Sequence, residues 1–72
     1  MDKTYLTPEG FRRVKSELEH VKSVKIPYAA NRVKGAKGYG DQELIQDALE
    51  EQKFYFDRVK VLERMLATAI PL

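Results

Sequence analysis

Cysteine is absent from the 72 residues. That excludes disulfides and thiolate metal sites and fits a reducing compartment. Histidine occurs once, at His20, which rules out a multi-histidine metal centre and leaves a Ser-His-Asp triad one candidate base. His20 falls among charged residues and off the apolar pattern, where a surface imidazole is the expectation. No apolar run approaches the ~18 residues a membrane span needs. The opening Met1-Asp2-Lys3-Thr4-Tyr5 lacks the apolar core of a signal peptide, so a cytoplasmic protein without a membrane partner is expected. A large excess of one charge is missing too, the net charge being +2.

What is present supports a small folded unit. Hydrophobic residues make up 43% and charged residues 33%, which is not a disordered composition. The length allows one domain at most, near the lower limit for an independent core. Charge is unevenly placed. Residues 1–40 carry nine of the thirteen Lys and Arg, and residues 41–72 carry seven of the eleven Asp and Glu. Two such halves lying side by side would partly neutralise each other, and a basic face turned toward nucleic acid is the competing reading.

Thr4-Tyr5-Leu6 reads as a short extended segment packed at a base. Thr7-Pro8-Glu9-Gly10 is a helix start: threonine caps an exposed N–H, proline suits the first helical position, and Glu9 meets the positive end of the dipole. Phe11, Val14, Leu18 and Val21 follow at helical spacing. Pro27 interrupts the pattern, since proline lacks an N–H and clashes with the carbonyl four residues earlier. Tyr28, Ala29, Ala30, Val33 and Ala36 then resume it, so a kink is expected. Gly35, Gly38 and Gly40 fall within six residues and predict a reversal. Asp41 is a candidate N-cap with Glu43 in the first turn beyond it. The second seam, Ile45, Ala48, Gln52, Tyr55, Val59, Leu62, Leu66 and Ala69, alternates spacings of three and four, and Pro71 marks its end. The Phe54-Tyr55-Phe56 cluster reads as core more readily than as a binding face.

The fold expected is all-α: an antiparallel two-helix coiled-coil hairpin, kinked near Pro27, filling residues 1–72 as one domain. Helix 1 is placed at about 8–34, the tip at 35–41 or 42, and helix 2 at about 42–69. Val14 should lie near Leu66, Leu18 near Leu62, and Val21 near Val59. A core two helices thick is marginal, so the base needs Leu6, Phe11 and Ile70 in contact, or a partner.

Little here performs chemistry. Asp41 and Glu43 beside the turn could bind a hard divalent cation such as Mg²⁺, but two ligands suit only a site shared with another molecule. The plain alternative is that Asp41 caps and Glu43 compensates the dipole. Tyr39 could stack on a base or cover the open end of the hairpin. Arg32, Lys34 and Lys37 could follow an RNA segment or be solvated charges. Gly35 to Gly40 lie between helices instead of after a strand, so they are not a phosphate-binding fingerprint.

Leu6-Thr7-Pro8-Glu9-Gly10-Phe11, Leu18-Glu19-His20-Val21-Lys22, Pro27, Gly40-Asp41, Glu50-Glu51-Gln52, Arg58-Val59 and Leu62-Glu63 stand in the order of the N-terminal coiled-coil domain of bacterial Gre transcript-cleavage factors. The chain resembles that family over residues 5–70. The resemblance implies a partner, bacterial RNA polymerase, whose secondary channel would receive the hairpin. It also implies that the tip carboxylates help hold a Mg²⁺ shared with the polymerase active site. The polymerase would then cleave backtracked RNA itself, with the nascent RNA 3′ end near the tip. On this reading Asp41 and Glu43 are the catalytic and metal-positioning residues, and Arg32, Lys34, Lys37 and Tyr39 face nucleic acid. The chain is expected to be a monomer and no enzyme alone.

The chain departs from the family pattern at the tip. The second family acid lies three residues after the aspartate, where Leu44 stands here, and Ile45 occupies an asparagine position. Glu43 is one residue short of the acid's place. The stretch from Gly40-Asp41 to Glu50-Glu51-Gln52 is three residues shorter than usual, which as a simple deletion rotates the tip by ~60° about the seam. Family members also continue into a C-terminal domain that anchors them, so this chain alone is expected to bind weakly. Two alternatives stay open: a cleavage-deficient channel inhibitor or structural module, and a self-associating coiled-coil adaptor.

Overall fold

The computed structural model describes residues 4–72. Its elements are strand β1 (Thr4–Leu6), helix α1 (Pro8–His20), a π-helical turn (Val21–Lys25), helix α2 (Ile26–Tyr39), helix α3 (Gln42–Ala67) and strand β2 (Ala69–Pro71). α1, the π turn and α2 form one continuous arm, and α3 runs back beside it. The molecule measures 50 × 23 × 12 Å. This is the two-helix hairpin the periodicity predicts, with four differences in detail.

The first concerns Pro27. Helix start signals act as expected at Thr7, whose side chain accepts from the Gly10 N–H at 3.0 Å with proline in the first turn. Further along, Pro27 offers no N–H, and its ring would strike the carbonyl one turn back. The chain answers with a π-helical turn just before it, in which the Ile26 N–H reaches back to the Val21 carbonyl. Such single-turn π insertions widen a helix locally without breaking it.

The second concerns the glycines. The reversal is narrower than residues 35–42: α2 runs through Tyr39, so Gly35 and Gly38 are helical. Only Gly40 adopts a positive φ, 70°, and its N–H bonds to the Lys37 carbonyl at 3.2 Å. Continued burial of Val33 and Ala36 against Ala48 holds those turns helical despite the two glycines. A Cβ added at Gly35 or Gly38 would meet nothing within 4 Å. Gly35→Ala and Gly38→Ala should therefore each stabilise the chain by ~0.5–1 kcal/mol. Gly40→Ala should destabilise it by ~1–2 kcal/mol, the cost of a left-handed non-glycine residue. Thermal unfolding followed by circular dichroism separates the two signs.

The third concerns the base. α3 ends at Ala67, and Ala69 belongs to β2 instead of the helical seam. Ile70 is β-branched and precedes Pro71, two features that disfavour helix. β2 pairs parallel with β1 in the register Thr4↔Ala69, Tyr5↔Ile70, Leu6↔Pro71. The pairing is extended by a bond from the Leu72 N–H to the Leu6 carbonyl, 3.0 Å.

The fourth concerns the aromatic cluster. Three consecutive residues on a helix are ~100° apart and cannot all face one seam. Tyr55 packs on the core, whereas Phe54 and Phe56 are exposed.

The core has two parts. Toward the base, Val14, Val21 and Leu62 are buried, with Leu18, Val59 and Leu66 packed on them. Toward the tip, Val33, Ala36 and Ala48 are buried, with Ile45 against them. Cross-hairpin ion pairs flank the seam. Arg58 donates from Nε and Nη2 to the two carboxylate oxygens of Glu17, at 2.6 and 2.9 Å. These hydrogen bonds hold the Glu17 carboxyl below its usual range against the opposing effect of desolvation. A carboxylate with a lowered folded pKa stabilises above its unfolded pKa, and that contribution is lost as pH falls through the folded value. Stability should thus decline as pH drops below ~5, and Glu17→Gln should flatten part of that decline at a cost under ~1 kcal/mol at neutral pH. Asp57, lowered by its bond from Lys53, keeps some slope in the variant. Urea titrations across pH 3–7, roughly the range in which carboxyl groups ionise, measure both slopes.

Candidate functional site at the hairpin tip

The tip consists of Tyr39, Gly40, Asp41 and the first turn of α3. Gly40 turns the chain out of α2, and Asp41, with φ −92° and ψ 114°, opens α3 as its N-cap. One carboxylate oxygen of Asp41, Oδ1, accepts from the N–H of Glu43 at 2.9 Å and of Leu44 at 3.4 Å. This geometry satisfies two of the otherwise unpaired N–H groups at the helix start. It also fixes the carboxylate at the far end of the molecule with its second oxygen outside these bonds. Glu43 lies exposed in the first helical turn, where its charge complements the dipole.

Among the described residues, no three Asp, Glu or His side chains are grouped to hold a metal ion. Asp41 and Glu43 together fall short of the six oxygen ligands Mg²⁺ requires. What they offer is a partial ligand set on a convex tip, which suits an ion held jointly with another molecule.

The four residues expected to face nucleic acid divide into two groups. Arg32 and Tyr39 are seven residues apart and share a face, where they line a cavity of about 220 Å³ with Gly35, Ala36 and Leu44. Lys34 and Lys37 are each two residues from one of them, so they lie ~200° round the helix. Arg32 is engaged by Glu51 across the hairpin, a pairing that raises the arginine pKa further. Tyr39 is 84% exposed and therefore does not close the open end of the hairpin.

Sequence reasoning left out two features of this neighbourhood. Leu44 is 43% exposed at the rim of the tip cavity. A second cavity, of about 360 Å³, lies beside the π turn and is lined by Glu17, His20, Lys25, Phe54 and Arg58 among others. The spacing of Leu44, Glu51 and Arg58, seven residues each, was the available signal that these groups share one flank of α3.

The family model described as the N-terminal domain of transcription elongation factors GreA and GreB matches residues 4–70. The chain belongs to this family. Among individual relatives, the transcription elongation factor GreA of Lactococcus lactis subsp. cremoris (strain MG1363) is 38% identical over 73 residues, covering 96% of this chain and 47% of that protein. GreA of Syntrophomonas wolfei is 42% identical, covering 89% of this chain and 42% of the relative. GreA of Xylella fastidiosa (strain M23) is 40% identical with the same coverage. The chain thus spans just under half the length of these relatives. No solved structure matches the chain at comparable significance. Among the described residues, no helix is long and apolar enough to cross a membrane.

Proposed function

We propose that this chain acts in transcription elongation by inserting its tip, as a single copy, into the secondary channel of bacterial RNA polymerase. There Asp41 would help position a Mg²⁺ that the polymerase uses to cleave backtracked RNA. The observation that carries the reading is the fixed placement of Asp41. It sits at the end of a 50 Å rod, with one oxygen committed to the helix start and the other outside the capping bonds. Membership of the GreA/GreB transcription elongation factor family supports this reading.

When bound, the ion would supply Lewis-acid activation of water and charge neutralisation at the scissile phosphate. The residues of this chain contribute orientation. Asp41 presents a carboxylate whose rotamer is set by two backbone N–H groups, and Glu43 adds negative charge on the same helical turn. The polymerase supplies the remaining ligands and the catalysis, so the chain is no enzyme alone.

A second reading is favoured by Leu44. At Leu44, where the resemblance leads one to expect a second acid, this chain exposes an apolar side chain beside Tyr39. That composition suits a ligand that occupies the channel without cleavage. Assembled backtracked elongation complexes, mixed with a large excess of this chain, decide between the two. Cleavage above the intrinsic rate supports the first reading. Absence of cleavage combined with competition against an active Gre factor supports the second. Neither effect removes both.

A further inference from the structure

The seam of the first arm breaks step once. Val14, Leu18 and Val21 follow one another at spacings of four and three, and Ile26, Ala29, Val33 and Ala36 at three, four and three. Val21 and Ile26, however, are five residues apart. The π turn, Val21–Lys25, stands in this gap. It takes up one residue more than an α-helical turn would, and so brings Val33 and Ala36 round to the cluster they share with Ala48. Without that extra residue the first seam would run on through Lys25, Tyr28, Arg32, Gly35 and Tyr39, again at spacings of four and three. Helix α2 therefore carries two candidate seams, one residue or ~100° apart. The second is left largely outside, with Tyr28 54% and Tyr39 84% exposed.

We propose that α2 exchanges between two rotational registers on α3, with the π turn storing the residue that is exchanged and Pro27 acting as the lock. In the second register the π turn relaxes to α-helix. Helix α2 then advances by one residue, ~1.5 Å, and turns ~100° about its axis. Tyr28 and Tyr39 enter the seam, and Ile26, Ala29, Val33 and Ala36 leave it.

Three features permit the exchange. Ala29, Val33 and Ala36 each bury little area, so giving them up costs little, and two tyrosine rings are covered in return. Gln52, the one polar residue of the α3 seam, neighbours Glu51, which already holds Arg32. Its side-chain oxygen can accept from the guanidinium when Arg32 moves into the seam. Gly38 and Gly40 bracket Tyr39, which lets the reversal re-form around the turned helix. Against these stands Pro27. In a continuous helix its ring meets the Ser23 carbonyl, and this keeps the observed register the major one.

The inference goes beyond the polymerase reading and does not depend on it. Asp41 caps α3 and stays with that helix, whereas Lys34, Lys37 and Tyr39 belong to α2 and turn with it. The exchange thus changes what surrounds the tip carboxylate without moving it. A partner that contacts Tyr39 or Arg32 from outside favours the observed register by its differential affinity for the two.

NMR exchange experiments on the full chain, sensitive to minor states on the µs–ms scale, test the proposal. In Pro27→Ala they should find one exchanging segment, from Lys22 to Tyr39 together with the α3 residues it faces. The minor state should keep helical α-carbon shifts. Its population should exceed that in the parent at least ~10-fold, because a proline inside a helix costs roughly a hundredfold in equilibrium constant. Deleting Ser23 in the same background sets Ile26 four residues after Val21 and removes the stored residue. Exchange should then stop, with far-ultraviolet circular dichroism unchanged. The chain has no cysteine, so Val33→Cys places a single thiol in the buried seam. Its alkylation should speed by the same factor in Pro27→Ala and slow again on deletion of Ser23. Absence of exchange in Pro27→Ala would overturn the proposal. So would a minor state with random-coil shifts, or exchange that survives the deletion, since either would mean that α2 merely unfolds locally.

Discussion

Leu62→Ala should cost ~2–5 kcal/mol, the range for removing a large aliphatic side chain from a site that cannot collapse. Leu62 is 1% exposed and is packed against Val14 and Val21 in the basal part of the core. The two arms are tied together above and below this point, by the β1–β2 pairing and by the tip, so neither helix can move freely to fill the void. For a domain this small, total stability sits at the low end of the ~5–15 kcal/mol usual for native proteins. The variant should therefore be substantially unfolded at 37 °C. Urea unfolding followed at 222 nm should show a lower midpoint with an unchanged slope. A loss below ~1 kcal/mol would mean that the two-helix seam is not what holds the chain together.

The contrast between the two ends of the seam extends this expectation. Near the tip the buried residues are Ala29, Val33, Ala36 and Ala48, small side chains that bring the helices close but bury little area each. Hydrophobic stabilisation scales with apolar area removed from water, so the tipward half contributes less than the half around Leu62. Two helical glycines weaken the same region further. Amide exchange should accordingly be fastest in the last turns of α2 and slowest around Val14, Val21 and Leu62.

How much of this was legible beforehand follows from the range of each interaction. Helix starts at Thr7 and Asp41 are local events, set by a side chain and the N–H groups two or three residues on, and a sequence displays them directly. The seams are equally visible because burial repeats with the helical period. The glycine cluster misled for the opposite reason. Gly35 and Gly38 favour a turn locally, but Ala36 and Val33 beside them are buried against α3, and that tertiary contact outweighs propensity. The β1–β2 pairing joins residues 65 apart in the chain, and no local pattern announces it. The π turn likewise records a compromise between Pro27 and the continuous seam on either side. The cavity that unites Arg32, Tyr39 and Leu44 required the register of the two arms. Phe54, read as core with its aromatic neighbours, is exposed for the same reason.

At the tip the decisive comparison is Asp41→Asn against Asp41→Ala. Asparagine caps a helix about as well as aspartate, because its side-chain oxygen accepts the same N–H groups. Asp41→Asn should therefore leave unfolding within ~0.5 kcal/mol of the parent, the scatter of near-neutral substitutions. Asp41→Ala removes the acceptor for Glu43 and Leu44 and should cost ~0.5–2 kcal/mol. In cleavage of backtracked complexes the ranking changes. Both variants remove the carboxylate charge that a hard divalent cation prefers, so both should lower stimulated cleavage by ~100-fold or more, the effect typical of losing one electrostatic group at a reacting centre. Equal loss of activity with unequal loss of stability would assign the aspartate two separable tasks, one for each carboxylate oxygen. If Asp41→Asn retained cleavage, capping alone would account for the residue. If neither variant nor parent stimulated cleavage while all three competed with an active factor, the exposed Leu44 flank would carry the interaction instead. Glu43→Ala, which touches neither capping bond, then tests whether the neighbouring carboxylate takes part: a further loss in the active parent places it beside the ion, and no change leaves it as dipole compensation for α3.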